Sequence, residues 1–175
     1  MDLGLTSDGG QYVRFMPSVN AWFVDGKETE IKGFRVDPSS IKTGWGKIAE
    51  GEAPDYKWDE QLGVRSMQPS PEHRRGFSLM LHIKDVGWRE WSAVTVGALQ
   101  GVTALWSAVD PKIKDNPGKA VVVKYTGSRA ETKGKGNTRI PLFEVVGWEA
   151  MPSGEELTPE APKVEAIIED EEALF

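Results

Sequence analysis

Two kinds of side chain in this sequence suit a polyanionic, base-bearing strand: clustered Lys and Arg for phosphates, and aromatic rings for bases. From Lys124 to Arg139 the bases Lys124, Arg129, Lys133, Lys135 and Arg139 face a single acid, Glu131, a local charge of +4 in sixteen residues. Gly127, Gly134 and Gly136 give this most basic window the freedom to wrap a backbone. The plain alternative is an ordinary solvated hairpin, since charged loops are common.

The second group is aromatic. Trp45, Tyr56 and Trp58 stand in Pro- and Gly-rich sequence beside Lys42, Lys47 and Lys57, a mixture that suits a stacking platform worth about 1–3 kcal/mol per base. Large aromatics are also the usual filling of a core, so each of these rings, and Tyr125 beside Lys124, is open to either reading. Arg65, Arg74 and Arg75 either reach phosphates or solubilise a loop. Trp106 falls on a helical stripe and reads as core.

Chemistry of a covalent kind has no foothold in the sequence. There is no cysteine, and the two histidines, His73 and His82, lack Ser, Asp or Glu at a recognisable nucleophile or metal spacing. The basic window is not a phosphate-cradling P-loop, because Lys135 is followed by Gly136 rather than Ser or Thr. The expectation is a protein without catalytic residues, metal or cofactor. The N-terminal MDLGLTSDGG shows no basic segment followed by an apolar run, and no stretch is long and apolar enough for a bilayer, so a soluble protein of the cell interior with no membrane partner is expected.

Charge divides the chain. Residues 154–175 hold eight acids against Lys163 alone, a charge of −7, which leaves +1 on residues 1–153 of the overall −6. Pro152, Pro159 and Pro162 break the chain there, and too little apolar surface remains to offset the entropy of ordering it. Residues 151–175 are expected to be a flexible acidic interaction tail, and residues 1–150 a single folded domain.

The elements that must carry the basic and aromatic residues read as strands with one helix. Gln11 to Met16 and Ile31 to Val36 have strand composition, and Asp25-Gly26 marks a turn between Phe23-Val24 and Lys27. Phe77, Leu79, Leu81 and Ile83 alternate with polar or smaller neighbours at the period of two. Val94, Ala98, Val102, Leu105 and Val109 form a helical stripe between about Trp91 and Val109, stopped by Asp110-Pro111. Gly97 and Gly101 weaken that helix by roughly 1 kcal/mol each unless it lies close against a sheet. Strands follow at Lys119 to Thr126 and Arg139 to Trp148, with Pro141 suited to an edge. The order predicts a mainly β fold: a five-stranded OB-type barrel with one helix between strands three and four. Asp37 to Gly76 is then a long insertion between strands two and three, too long for a bare loop.

The chain ends Ile167-Ile168-Glu169-Asp170-Glu171-Glu172-Ala173-Leu174-Phe175, an acidic segment with an apolar, carboxylate-bearing tip that can enter a pocket rimmed by Arg or Lys. Together with the stretch Val121-Val122-Val123-Lys124-Tyr125-Thr126-Gly127, the basic loop and Ile140-Pro141-Leu142-Phe143-Glu144-Val145-Val146-Gly147-Trp148, this ending resembles single-stranded-DNA-binding proteins of the tailed-phage type. The resemblance covers the C-terminal third well and the N-terminal half in outline. It implies coating and protection of single-stranded DNA in replication, recombination or repair inside a bacterial host cell. It also implies that Glu169, Asp170, Glu171, Glu172 and Phe175 recruit a polymerase, helicase or primase. A β-barrel protein-interaction adaptor without nucleic-acid binding is the main alternative, and strand annealing is a variant of the first. RNA as ligand, site size and oligomeric state, a homodimer included, stay open at this stage.

Overall fold

The computed structural model describes residues 12–49, 51–133 and 136–152, with only the backbone of Lys133, Gly136 and Asn137. Ten strands and one α-helix are found among them: β1 (Tyr12–Met16), β2 (Ala21–Val24), β3 (Lys27–Thr29), β4 (Gly33–Val36), β5 (Lys42–Lys47), β6 (Asp55–Trp58), β7 (Arg74–Ile83), β8 (Gly87–Ala93), α1 (Val96–Val109), β9 (Lys119–Lys133) and β10 (Gly136–Ala150). They form one sheet in the order β10-β9-β4-β7-β8-β1-β2-β3, with β5 on β7 and β6 on β5. Every pairing is antiparallel except β1 against β8. The fold is mainly β, as expected, but the sheet has more than five strands and is not closed into a barrel.

The Asp25-Gly26 turn joins β2 to β3, and both residues adopt positive φ (53° and 86°), the backbone that a two-residue hairpin demands. The Asp37 to Gly76 segment is built rather than looped. Asp37 caps a short 3-10 turn, Pro38–Ser40, by accepting from the Ser39 N–H at 3.0 Å and the Ser39 hydroxyl at 2.7 Å. β4 pairs with the second half of β7 (Val36 opposite Leu81) and β5 with the first half (Lys42 opposite Ser78). At the break between them the Met80 N–H donates to the Ser40 hydroxyl at 2.9 Å, so the interrupted ladder keeps its bond. β4 and β5 are in effect one strand bent at Asp37.

The core lies on the face of β7 that carries Phe77, Leu79, Leu81 and Ile83, joined by Val13, Phe34, Trp91, Val121 and Val123. The sheet curls until its far strands approach. Trp22 of β2 stands 5.5 Å from Tyr125 of β9, edge to face, and 6.3 Å from Phe143 of β10 at a tilt of 54°. Aromatic contacts rather than backbone bonds therefore span the seam. Register shifts in β10 at Leu142/Phe143 and Val145/Gly147 supply the bulges that bend this long ribbon.

The helix buries Ala98, Val102, Leu105 and Val109, the expected stripe. It begins at Val96 rather than near Trp91; Trp91 to Ala93 belong to β8, and Trp91 sits at the centre of the core. Val94 matches the helical spacing by coincidence, because pairing of β8 with β7 outweighs the local period. Gly97 and Gly101 lie directly on β10: a Cβ on the first would stand 2.3 Å from the Arg139 carbonyl oxygen, and on the second 2.7 Å from that of Pro141. Pro141 is buried beneath the helix on an edge strand, where its missing N–H costs least. Among the described residues no helix is long and apolar enough to cross a membrane.

Candidate nucleic-acid interface

On the outer face of the sheet, away from the core, the β5–β6 hairpin carries two aromatic rings on a floor of glycine. Gly44 lies opposite Trp58 and Gly46 opposite Tyr56, so both rings project on the glycine side of the hairpin. The two rings are parallel within 6° with centroids 4.7 Å apart. The Lys42 ammonium, from the same face of β5, stands 5.0 Å from the Trp58 ring centre. The glycines are a steric requirement: a Cβ on Gly46 would reach within 2.5 Å of the Tyr56 ring, and one on Gly44 within 2.3 Å of the Lys57 carbonyl oxygen.

The face continues without a break across the central strands. Lys42 pairs with Ser78, Ser78 with Ser92, Met80 with Glu90 and His82 with Trp88, and Tyr12 of β1 lies opposite Glu90. These side chains share one side of the sheet. Tyr12 is 45% exposed, and the His82 and Trp88 rings meet edge to face at 5.2 Å. Glu90 is held at the middle by hydroxyl donors from Ser78 at 2.9 Å and Ser92 at 2.7 Å. Partial burial, then the nearby Glu90 charge and Tyr12, push the Tyr56 phenol pKa above its ordinary value, so that side chain stays a neutral ring with a hydroxyl donor. Tyr12 and Trp88 escaped the sequence reading; only their register across β8 and β1 reveals the shared face.

The structure separates the other expected residues. Trp45 points to the opposite side of β5 and is 8% exposed; its indole N–H donates to the Ser66 carbonyl at 2.9 Å, and Arg75 and Arg65 flank its ring at 5.0 and 5.8 Å. It is a packed residue, against the expectation of a displayed ring, whereas Tyr56 and Trp58 lie on the outer face. Arg75 is engaged by Asp59 at 2.8 Å, not displayed to a strand. Arg74 is exposed but donates to the Pro71 carbonyl at 2.7 Å, and Lys47 pairs with Glu72 at 3.2 Å. Lys57 is exposed on the outermost strand of the hairpin.

The basic window is confined to the β9–β10 ribbon. Lys124 and Arg129 are exposed, Arg129 pairing with Glu131 at 2.8 Å. Arg139 donates to the Ser128 hydroxyl at 2.9 Å, which in turn donates to the Asn20 side-chain oxygen at 2.6 Å, fastening the ribbon to the β1–β2 turn. Tyr125 packs its ring against Trp22, Phe15 and Phe143, and burial raises its hydroxyl pKa. The Lys133 side chain, Lys135, and the whole acidic segment with Glu169, Asp170, Glu171, Glu172 and Phe175 lie outside the described residues.

A scan of protein-family models and searches of curated proteins and of solved structures each returned no match to this chain. Its site must be read from its own residues.

One arrangement overturns the reading of isolated histidines. Ser70 Oγ lies 2.7 Å from His73 Nδ1, and Asp55 Oδ2 lies 3.1 Å from His73 Nε2. The serine oxygen also accepts the Glu72 N–H at 3.2 Å, the His73 N–H closes on the Ser70 carbonyl at 3.1 Å, and Gln68 donates to the His73 carbonyl at 2.8 Å. The group staples residues 68–73 to the start of β6. No cluster of three metal-ligating side chains occurs among the described residues.

Proposed function

We propose that this protein binds single-stranded nucleic acid, DNA by its sequence resemblance, along the outer face of the central strands. The observation that carries the reading is the parallel Tyr56–Trp58 pair with Lys42 above Trp58, set on glycines that let the rings lie on the sheet. Stacked aromatics beside a cation accept any base sequence, which is what a strand-coating protein needs.

The topology supports it. With β4 and β5 counted as two arms of one bent first strand, β7, β8, β9 and β10 become strands two to five. The sheet then runs five-four-one-two-three, with α1 between three and four. That is the connectivity of the OB fold, whose second and third strands and the loops after strands one and four hold oligonucleotides. On this count the aromatic hairpin falls in the loop after strand one, not between strands two and three. The basic ribbon is the loop after strand four, and β1–β3 are an addition to the OB plan. The acidic segment ending in Phe175 belongs to the proposal as the recruiter of replication proteins, on the strength of the sequence alone.

The test is titration of the intact protein with oligo-dT, following tryptophan fluorescence at low and moderate salt. Quenching that weakens with salt is the expected result. An absence of binding by fluorescence and by a second method overturns the reading in favour of an adaptor.

A further inference from the structure

A carboxylate stands in the middle of the outer face, where a surface that bound phosphates alone would carry cations. Glu90 of β8 lies between Met80 of β7 and Tyr12 of β1, on the side of the sheet that also carries Tyr56 and Trp58. It is locked in place. Ser78, itself 3% exposed, donates its hydroxyl to Glu90 Oε2 at 2.9 Å, and the Ser92 hydroxyl donates to the same oxygen at 2.7 Å. Both lone pairs of Oε2 are thereby engaged. Among the described residues Oε1 accepts no hydrogen bond, and the carboxylate has no ion-pair partner.

The aromatic rings limit how a base approaches this oxygen. The Tyr56 and Trp58 rings lie within 6° of one another, so a base stacked parallel to them has its edges directed along their planes. The Tyr56 phenol lies within reach of the Glu90 charge, so the rim of such a stack faces the carboxylate. A carboxylate oxygen only accepts, and it therefore sorts bases by the donors on their edges. Guanine presents two adjacent donors, N1–H and the N2 amino group. Cytosine and adenine offer one amino group beside a ring-nitrogen acceptor, and thymine offers a single N3–H between two carbonyl oxygens that repel the anion. Oε1, with its lone pairs free, suits the guanine edge best.

We propose that Glu90 is a specificity-determining residue, whose carboxylate accepts from the N1–H and N2 amino edge of a guanine stacked beside Tyr56. The inference rests on the proposed strand-binding face and adds one preference to it: stacking takes any strand, and a single subsite on the face favours guanine. A phosphate is unsuited to the same spot, because the fixed negative charge repels it.

The experiment measures binding of the full chain to oligo-dT and to strands of equal length in which isolated thymines are replaced by guanine or by inosine, with no two purines adjacent. Inosine keeps N1–H and lacks the N2 amino group. Wild-type protein should bind the guanine strand about tenfold more tightly than oligo-dT, with the inosine strand between them. Glu90→Gln keeps the shape and an acceptor for the two serines. It should bind oligo-dT about twofold more tightly, the charge beside the thymine carbonyls being gone, and its guanine preference should shrink to about twofold, the share due to stronger purine stacking. A guanine strand that wild type binds no better than the inosine strand overturns the assignment, and this comparison decides the matter even where Glu90→Gln does not fold. An undiminished guanine preference in a Glu90→Gln protein that melts like wild type overturns it as well. Either result leaves the strand-binding face intact, whereas no binding to any of the three strands overturns both.

Discussion

Arg75 grips Asp59 through two nitrogens, Nη1 at 3.2 Å and Nη2 at 2.8 Å from the two carboxylate oxygens, one residue beyond Trp58. The Arg75 guanidinium holds the Asp59 carboxyl well below the usual carboxylate range, helped by Thr43 and Ser66 against the opposing effect of burial. Because the folded pKa is depressed, the ion pair stabilises fully above the unfolded value of about 3.9, and that stabilisation is lost as pH falls through and below it. Asp59→Asn should cost about 2 kcal/mol at neutral pH, since it leaves a partly buried guanidinium without its charge partner. In thermal melts the gap between wild type and variant should narrow steadily from about pH 5 downward. A gap that is constant with pH contradicts this account of the pair.

Trp58 and Trp45 are neighbours across the β5–β6 hairpin and face opposite ways, so their replacement should separate binding from stability. Trp58→Ala, on the outer face, should weaken oligo-dT binding by about 1–3 kcal/mol, roughly 5- to 150-fold, with little change in the melting temperature. Trp45→Ala, inside, should destabilise the fold by about 3–5 kcal/mol. Titration and thermal melts of both variants check the pair of outcomes; a Trp45 variant that is stable but cannot bind would reverse the assignment of the two rings.

The sequence carries the alternation of β7 and the two glycines of the helix plainly, because each is a local pattern with a local physical cause. Asp25-Gly26, Pro141 and the Ala98–Val102–Leu105–Val109 stripe are legible for the same reason. What it hides is pairing. That Gly44 meets Trp58, that Tyr12 joins the face through Glu90, and that Asp37 bends one strand into β4 and β5 are facts of register between segments distant in sequence. The aromatic-and-lysine composition of residues 42–58 could not say which ring faced out, since one step along a strand reverses the side. The Ser70–His73–Asp55 group was hidden by the same limit, as Asp55 arrives from a different strand.

Gly97 offers a test in which helix propensity and packing disagree. Alanine is the better helix former by about 1 kcal/mol, yet its methyl group would stand 2.3 Å from the Arg139 carbonyl oxygen and 2.8 Å from Thr138 Oγ1. The first of these is backbone and cannot rotate away. The helix would have to lift from β10, so Gly97→Ala should destabilise by about 1–3 kcal/mol net. Denaturant titration decides it; a stabilised variant would mean that the helix does not rest on the strand.

The basic ribbon makes a prediction about salt rather than about affinity alone. Each lysine that contacts a phosphate of a single strand releases about 0.7 of a counterion, so contacts are counted by the slope of log affinity against log salt. Lys133→Glu with Lys135→Glu removes two cations from the window in which Lys124, Arg129 and Arg139 remain. The double variant should bind oligo-dT more weakly at low salt, with a slope shallower by about 1.4, and the two proteins should converge as salt rises. Loss of affinity with an unchanged slope would place the effect in the fold of the ribbon. An unchanged affinity and slope would confine strand binding to the Tyr56–Trp58 face, with the ribbon left as the solvated hairpin that its composition equally allows.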